Sequence, residues 1–428
     1  MHSRPKILVL TGMYPRKTDP TAGIFVHREC LALKRARLDV RVLSPLPYSP
    51  RILWWNPKWR DLGMVPRSDI LDGIHVRYPR YPRPPGAFYR KFEPFAMLPT
   101  LCASFREWSR EKPFDLIHAH GLLPWGVAAV LLSKAFRLPC VCQARGGDVN
   151  IYAWESRANF LLTRYVIENC DAPLAVSKAL AEKMSSISRT GREISVLYTT
   201  VDTQLFAPAR DRVLLRRRLG IPPGAFVAIY VGALCSEKGL IDLSAAWRVV
   251  TTKAPGSTLV ILGKGPLYPK LASLGHSVLL CGPKPHAEVA LWMQASDVLI
   301  LPSHSEGLPT VIVEAMACEL PVIATPVGGI PEAVIHGETG FLVPTGAHQS
   351  LASSIITLAR NRELRRFMAK AGRERMRAVF GPNTYVPAAL EMYHWVVRHR
   401  ANTKRQPPSP RAGSARAEPG CGSPEKPR

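Results

Sequence analysis

Ser305-Glu306-Gly307-Leu308-Pro309-Thr310-Val311-Ile312-Val313-Glu314 is the stretch on which the reading of this chain turns. Before it, Asp297-Val298-Leu299-Ile300-Leu301-Pro302 is a short apolar run ended by proline, the pattern of a buried strand. After it, Glu314-Ala315-Met316-Ala317-Cys318 is strongly helix-forming. Gly307 and Pro309 fall between the two, so the spacing predicts strand, tight turn and helix start. The N–H groups of a first helical turn lack intrahelical acceptors and, with the helix dipole, attract phosphate. Glu306, before the turn, can accept sugar hydroxyls, and Glu314, inside the first turns, can accept the two hydroxyls of a ribose. The pair therefore suits a ligand that joins phosphate to sugar. A single glutamate at a helix end is more simply solvated, so the reading rests on the residues around both.

Outward from this stretch, strand and helix patterns alternate along the chain. Residues 6–12 and 40–44 read as strands separated by a helix over Val26 to Arg37, and Leu116 to His118 and Cys140 to Gln143 repeat the strand pattern. Arg164 to Cys170 reads as helix, Ala172 to Val176 as strand, and Ser177 as the cap of a helix over Lys178 to Met184. Ile194 to Leu197 closes this set. A second cycle starts at Ala225, after the turn Gly220-Ile221-Pro222-Pro223-Gly224. Alternation of this kind predicts parallel sheets that take ligands at the carboxyl ends of their strands. A chain of 428 residues is too long for one core. The expected organisation is an α/β domain over 1–205, a second over 206–382, a helix over 383–400 and a disordered basic tail over 401–428. Arg51 to Pro85, rich in Pro, Trp and Arg, reads as a long loop system.

Hydrophobic content of 46% favours full folding, and no apolar run approaches the ~20 residues needed to span a bilayer. The apolar segment at the N-terminus stops at Gly12, which suits a first strand better than a secretion signal, so the expected location is cytoplasmic. Nine cysteines without metal-type pairing agree with that location. Cys140 and Cys142 are expected on opposite faces of one strand, where they would not bridge. The formal charge of +25 calls for an anionic partner. Nucleic acid is not expected, because the basic residues are scattered without a recognition-helix or zinc-finger pattern. Arg77, Arg80, Arg83, Arg90 and Lys91 interleave with Tyr78, Tyr81, Phe88, Tyr89, Phe92 and Phe95, then lead to Phe105 and Trp108. That mixture suits the inner, anionic face of a membrane. The competing reading is a solvated loop followed by an ordinary packed helix.

Beyond the glutamate pair, Pro321-Val322-Ile323-Ala324-Thr325, Gly328-Gly329-Ile330-Pro331-Glu332 and Gly337-Glu338-Thr339-Gly340-Phe341 continue the pattern. With Tyr230-Val231-Gly232-Ala233-Leu234, Glu237-Lys238-Gly239-Leu240 and Leu262-Gly263-Lys264-Gly265-Pro266, these residues resemble the donor-binding half of a retaining, GT-B-fold glycosyltransferase of family 4. The likeness spans roughly residues 5 to 400, and its N-terminal half is more weakly marked. The branch it most resembles works in teichuronic-acid or exopolysaccharide assembly. The resemblance implies two Rossmann-like, doubly wound α/β domains facing across a cleft, with the helix over 383–400 crossing back to the first, and transfer of a hexose-type sugar from a UDP- or GDP-sugar to a lipid-linked or polysaccharide acceptor with retention. It implies no cofactor and no metal, and no Asp-x-Asp occurs.

The implied site residues follow. Lys238, in a loop between strand and helix, would stabilise the departing diphosphate, and Glu306 would hold the sugar; the plainer reading of Lys238 is an exposed loop lysine. Relatives often carry an arginine where this chain has Ala233, so Lys264 or Arg145 would supply a second cation, or backbone amides would do more. Gly23 would let its loop approach the diphosphate, and Glu314, Gly307, Leu308, Thr310 and Lys264 would bind the donor. His120 resembles the family histidine near the transferred sugar, whereas His118, expected on the opposite strand face, reads as structural. Arg145 and Asp148 belong on the acceptor side, where Asp148 would accept an acceptor hydroxyl or pair with Arg145. Thr199-Thr200 replaces an Asn-Gly that suits positive φ, so that loop is expected to differ in shape. Glu319 replaces a glycine in the left-handed region, at a cost of about 1 kcal/mol. A nucleotide-sugar epimerase, a phosphorylase and a glycan-binding protein on the same fold are the alternatives.

Overall fold

The computed structural model describes residues 4–83, 91–222 and 224–399. Phe88, Tyr89, Arg90 and the expected tail over 401–428 lie outside them. Two parallel sheets organise the chain. The first runs Ser195–Val196, Ala172–Ala175, Cys140–Ala144, Leu116–His120, Lys6–Leu10, Asp39–Leu43, Ile74–Arg77 and Ser68–Leu71, with only the last strand antiparallel to its neighbour. The second runs Val278–Gly282, Thr258–Leu262, Val227–Val231, Val298–Leu301, Val322–Ala324 and Gly340–Leu342, parallel throughout. Helices cover both faces of a parallel sheet, so its central strands are buried along their whole length and mostly apolar. Lys6–Leu10, Thr258–Leu262 and Val298–Leu301 are accordingly buried at every position.

The helix Pro382–His399 returns to the first sheet. Tyr385, Ala389, Met392, Tyr393 and Val396 are buried in one apolar cluster with Ile7, Val9, Leu116, Val141 and Ala172. His118 Nδ1 lies 2.9 Å from the Tyr393 hydroxyl, which fixes the helix against the strand.

Three expectations need correction. Residues 51–85 are not one long loop: they hold a short helix Pro57–Met64 and a hairpin Ser68–Leu71 with Ile74–Arg77, closed by Asp72 and Gly73 at φ 49° and 71°. A two-residue Asp-Gly turn with both residues at positive φ matches the twist of an antiparallel pair. His118 and His120 share a strand face, with ring centroids 4.1 Å apart, and Cys140 and Cys142 do likewise, with sulfurs 3.6 Å apart. Side chains two residues apart on a strand point the same way; Cys140 and Cys142 both stay free thiols. The aromatics expected at a membrane divide: Tyr78, Tyr81, Phe105 and Trp108 are buried, and only Phe92 and Phe95 of the described set are half-exposed. Helix Glu93–Glu111 buries Met97, Leu101, Phe105 and Trp108 at helical spacing, which is the packed-helix reading.

Candidate active site

The carboxyl ends of the two sheets face each other across a cavity of about 570 Å³. Thr21, Ile24, Phe25 and Arg145 line it from the first domain; Ala233, Lys238, Lys264, Glu306, Thr310 and Glu314 line it from the second. The domains touch through backbone at the floor. A Cβ on Gly307 would sit 2.5 Å from the Arg145 carbonyl oxygen, and one on Gly146 would sit 2.9 Å from Gly307 Cα, so neither glycine tolerates a side chain. Glu332 fastens the same interface by accepting from the Lys178 and Ala179 N–H groups at 2.9 and 3.1 Å. It thereby joins Ser177, whose hydroxyl caps that helix at Leu180 N–H as expected.

The turn after Val298–Leu301 places the two glutamates as the sequence predicts, with helix Thr310–Ala317 starting directly behind Pro309. Leu308 and Thr310 line the cavity, and the Thr310 and Val311 N–H groups at the start of that helix have no intrahelical acceptor, whereas Ile312 N–H donates to the Pro309 carbonyl at 3.2 Å. Lys238 Nζ donates to Glu306 Oε1 at 2.6 Å. Lys264 is exposed and also lines the cavity, as does Lys284, which lies 3.5 Å from Glu288. Lys238, Lys264 and Lys284 thus line the same cavity as Ala233.

Glu314 is almost fully buried and carries a partner that no local pattern shows. Arg28, from the first domain's helix Ile24–Arg35, donates to Glu314 Oε1 at 2.6 Å. His286 Nε2 is 3.3 Å from the same oxygen and also touches the Arg28 guanidinium. Burial pushes the Glu314 carboxyl up, but Arg28 and His286 outweigh it and hold it at about 2. Both contacts fall on Oε1, which leaves Oε2 open to a hydroxyl.

Other expected roles shift once the contacts are seen. Arg145 does line the cavity, yet its guanidinium is bound by Glu29, with Nη1 donating to Oε1 at 2.8 Å and Nη2 to Oε2. It does not pair with Asp148. That carboxylate instead accepts from the N–H groups of Leu122 at 2.8 Å, Gly146 at 2.9 Å and Arg145 at 3.1 Å, so it shapes the loop and has little left for an acceptor hydroxyl. His120 is buried behind Arg145, against its guanidinium and 3.6 Å from Glu29, rather than on the cavity wall. Burial, with His118 and Arg145 adding to it, keeps its imidazole neutral. Gly23, at φ 57°, begins helix Ile24–Arg35, and a Cβ there would lie 2.0 Å from the Met13 carbonyl oxygen. Its neighbours Thr21, Ile24 and Phe25 are what face the cavity. Thr199, in the altered loop, donates to Glu29 at 3.1 Å, and Glu319 adopts φ 57° as expected.

Arg28, Glu29, Lys284 and His286 were not singled out by the sequence. One signal was available for the first two: His27-Arg28-Glu29 interrupts an apolar helix between Val26 and Cys30, and all three charged or polar side chains are buried. Among the described residues no three His, Cys, Asp or Glu side chains converge as metal ligands.

Residues 211–375 match the family described as glycosyl transferases group 1, and residues 21–200 match the glycosyl transferase 4-like domain. A Bacillus subtilis protein named for teichuronic acid biosynthesis, the glycosyltransferase TuaC, is 32% identical over 352 residues, which cover 82% of this chain and 88% of that one. N-acetyl-alpha-D-glucosaminyl L-malate synthase of Bacillus anthracis is 28% identical over 312 residues, covering 71% and 81%. Among solved structures, sucrose-phosphate synthase from Thermosynechococcus elongatus superposes with a TM-score of 0.73 at 22% identity, covering 92% of this chain and 99% of that one. Anabaena HepE, solved with UDP, gives 0.68 at 22% identity, covering 90% and 98%. At such identities the likeness shows a shared fold.

Proposed function

The chain belongs to the group 1 glycosyltransferases and has their GT-B fold, and from that premise we propose that it transfers a hexose-type sugar from a UDP- or GDP-sugar to a lipid-linked or polysaccharide acceptor of a cell-surface glycan, with retention. The observation that carries this reading is the convergence of Lys238, Glu306, Glu314 and the start of helix Thr310–Ala317 on one cavity between the domains. A nucleoside diphosphate sugar matches that set group by group. Its ribose takes Glu314 Oε2, its diphosphate takes the helix start with Lys238 and Lys264, and its sugar takes Glu306.

In the proposed reaction the bond from the anomeric carbon to the diphosphate oxygen breaks while the acceptor oxygen bonds to the same face of that carbon. The acceptor proton passes to the departing phosphate oxygen, and the Lys238 ammonium gains strength as negative charge develops there. The leaving group's countercharge comes from lysines and backbone amides, so the reaction is written without a metal. Arg145 supports the acceptor side as held by Glu29, and neutral His120 acts from behind it as a positioning residue. Gly23 serves by shaping the Thr21–Phe25 segment, while Gly307 lets the domains close and Asp148 maintains the loop before it.

The acceptor's lipid or polymer places the enzyme at an anionic membrane surface on this reading, on the cytoplasmic side. Exposed Phe92 and Phe95 beside Lys91, and exposed Ile52 and Trp55 near Arg51 and Lys58, support it. No helix among the described residues is long and apolar enough to cross a membrane.

Incubation of the full chain with UDP- and GDP-hexoses and a panel of polyprenyl-linked saccharides tests the proposal. One donor is expected to release its nucleoside diphosphate and yield a product with the donor's anomeric configuration. Lys238→Ala is expected to cut turnover at least tenfold more than donor affinity. An inverted product would remove retention, and nucleotide binding without turnover of any donor would favour the glycan-binding alternative.

A further inference from the structure

A cavity of about 1040 Å³, larger than the cleft's, opens at the other end of the second sheet. Phe226, Asp297 and Pro321 line it, and each stands just before a strand, Val227–Val231, Val298–Leu301 or Val322–Ala324. The donor cleft lies past the carboxyl ends of the same strands, so the two cavities are separated by a strand's length, roughly 13–17 Å. Nothing in the transfer reaction uses this second cavity.

Its charge is one-sided. Arg212, Arg216, Arg362, Arg365, Arg366 and Lys370 line it against two carboxylates, Asp297 and Glu319. Both carboxylates are already taken. Asp297 binds Arg216 at 2.7 Å and Arg212 at 2.8 Å and lies 3.6 Å from Arg365, while Glu319 binds Arg373 at 2.8 Å. Arg362, Arg366 and Lys370 make no hydrogen bond or ion pair among the described residues. They follow one another at intervals of four along helix Arg362–Arg375, where like charges repel. A solvated basic helix face would spread such groups over a convex surface. Here a second helix, Arg212–Arg218, brings further arginines from the opposite wall, and the groups converge on a hollow.

We propose that this hollow is a second ligand site, which takes a small organic phosphate bearing two or more negative charges, such as a phosphorylated sugar. Guanidinium forks match the geometry of phosphate oxygens, and a dianion or trianion neutralises the repulsion that the protein's own carboxylates leave in place. The exposed rings and methyls of Phe367 and Val213 offer apolar surface for the organic part. The volume accommodates one such molecule. A concave site flanked by two helices favours a compact ligand over a flat lipid surface. Occupancy bears directly on Asp297, which also accepts from Val227 N–H at 2.8 Å and starts the strand that leads to Glu306. The proposal is independent of which sugar is transferred.

Calorimetric titration with inorganic tripolyphosphate at low salt, of the full chain and of Lys238→Ala, whose cleft has lost a phosphate contact, tests it. Tripolyphosphate is expected to bind, and Arg362→Ser/Arg366→Ser/Lys370→Ser is expected to weaken that binding at least tenfold while the melting temperature and nucleotide affinity stay as in the parent. Lys238→Ala is expected to leave it unchanged. Should the triple variant fold poorly, Arg362→Lys/Arg366→Lys keeps the charge, loses the forks and is expected to weaken binding several-fold. Tripolyphosphate affinity equal to the parent's in these variants, or its loss in Lys238→Ala, would overturn the site. Binding of phosphatidylglycerol vesicles that depends on the three residues, without tripolyphosphate binding, would overturn it in favour of a lipid surface.

Discussion

At Glu314 two demands meet, since Arg28 and His286 hold one carboxylate oxygen and the proposed ribose needs the other. Removing one partner of a buried ion pair leaves the other charge uncompensated, at roughly 3–5 kcal/mol, whereas removing both costs far less. Arg28→Met and Glu314→Gln are therefore expected to destabilise strongly as single variants and to show a favourable coupling above about 1 kcal/mol in a double-mutant cycle by denaturant unfolding. Additive losses would mean that the pair is not made. Glu306, Glu314 and Lys238 were legible because each belongs to a local strand-turn-helix pattern that a short window contains. Arg28 was not, because its meeting with Glu314 depends on how two domains face each other across 286 residues of sequence, and His286 was not, because it reaches Glu314 from another strand-helix unit of the same domain, 28 residues away. Asp148 and Arg145 illustrate the converse: the loop was found, but a sequence window cannot say that four backbone N–H groups claim the carboxylate or that Glu29 claims the guanidinium.

Strand Leu116–His120 carries two imidazoles on one face, and its neighbours decide their protonation. Burial, with Arg145 adding to it, lowers His118 to about 3 from an ordinary 6.5, and His120 is also held well below its ordinary value, for the same leading reason. The unfolded chain thus takes up protons that the folded one refuses. Stability from these groups is complete above pH 6.5 and falls as pH drops toward the folded values, by about 1.4 kcal/mol per unit for each histidine. His118→Asn is expected to flatten the decline in unfolding free energy between pH 6.5 and 5, a window above the carboxylate range. An unchanged slope would mean that His118 is not buried neutral. The error about strand faces was one of parity, corrected by the period of two that also places Cys140 beside Cys142. The hairpin at Asp72-Gly73 was equally legible, since Asp-Gly between alternating residues is a strong turn pattern; the surrounding Pro and Trp residues obscured it.

Two parallel sheets were anticipated from alternation, because strand and helix periods are local properties; their facing carboxyl ends and the return of helix Pro382–His399 to the first sheet were expected only through the family resemblance. The use of the +25 charge was not, because charge says nothing about where cations gather. Arg80 donates to the Val65 carbonyl and Arg83 lies 2.7 Å from Glu93, so neither is free for lipid. The membrane proposal now rests on the exposed apolar side chains, and Phe92→Ser/Phe95→Ser is expected to weaken binding to phosphatidylglycerol vesicles about tenfold, at fixed salt, with nucleotide affinity unchanged. Parent-like vesicle binding would remove that segment as the contact. The claim on which the whole account depends is that the cleft between the sheets holds a nucleoside diphosphate by its ribose and phosphates. Equilibrium titration of the full chain and of Glu314→Gln with UDP and with GDP at neutral pH tests it most directly. One nucleotide is expected to bind the parent saturably and the variant at least tenfold more weakly; binding of neither, or equal binding to both proteins, would contradict the account.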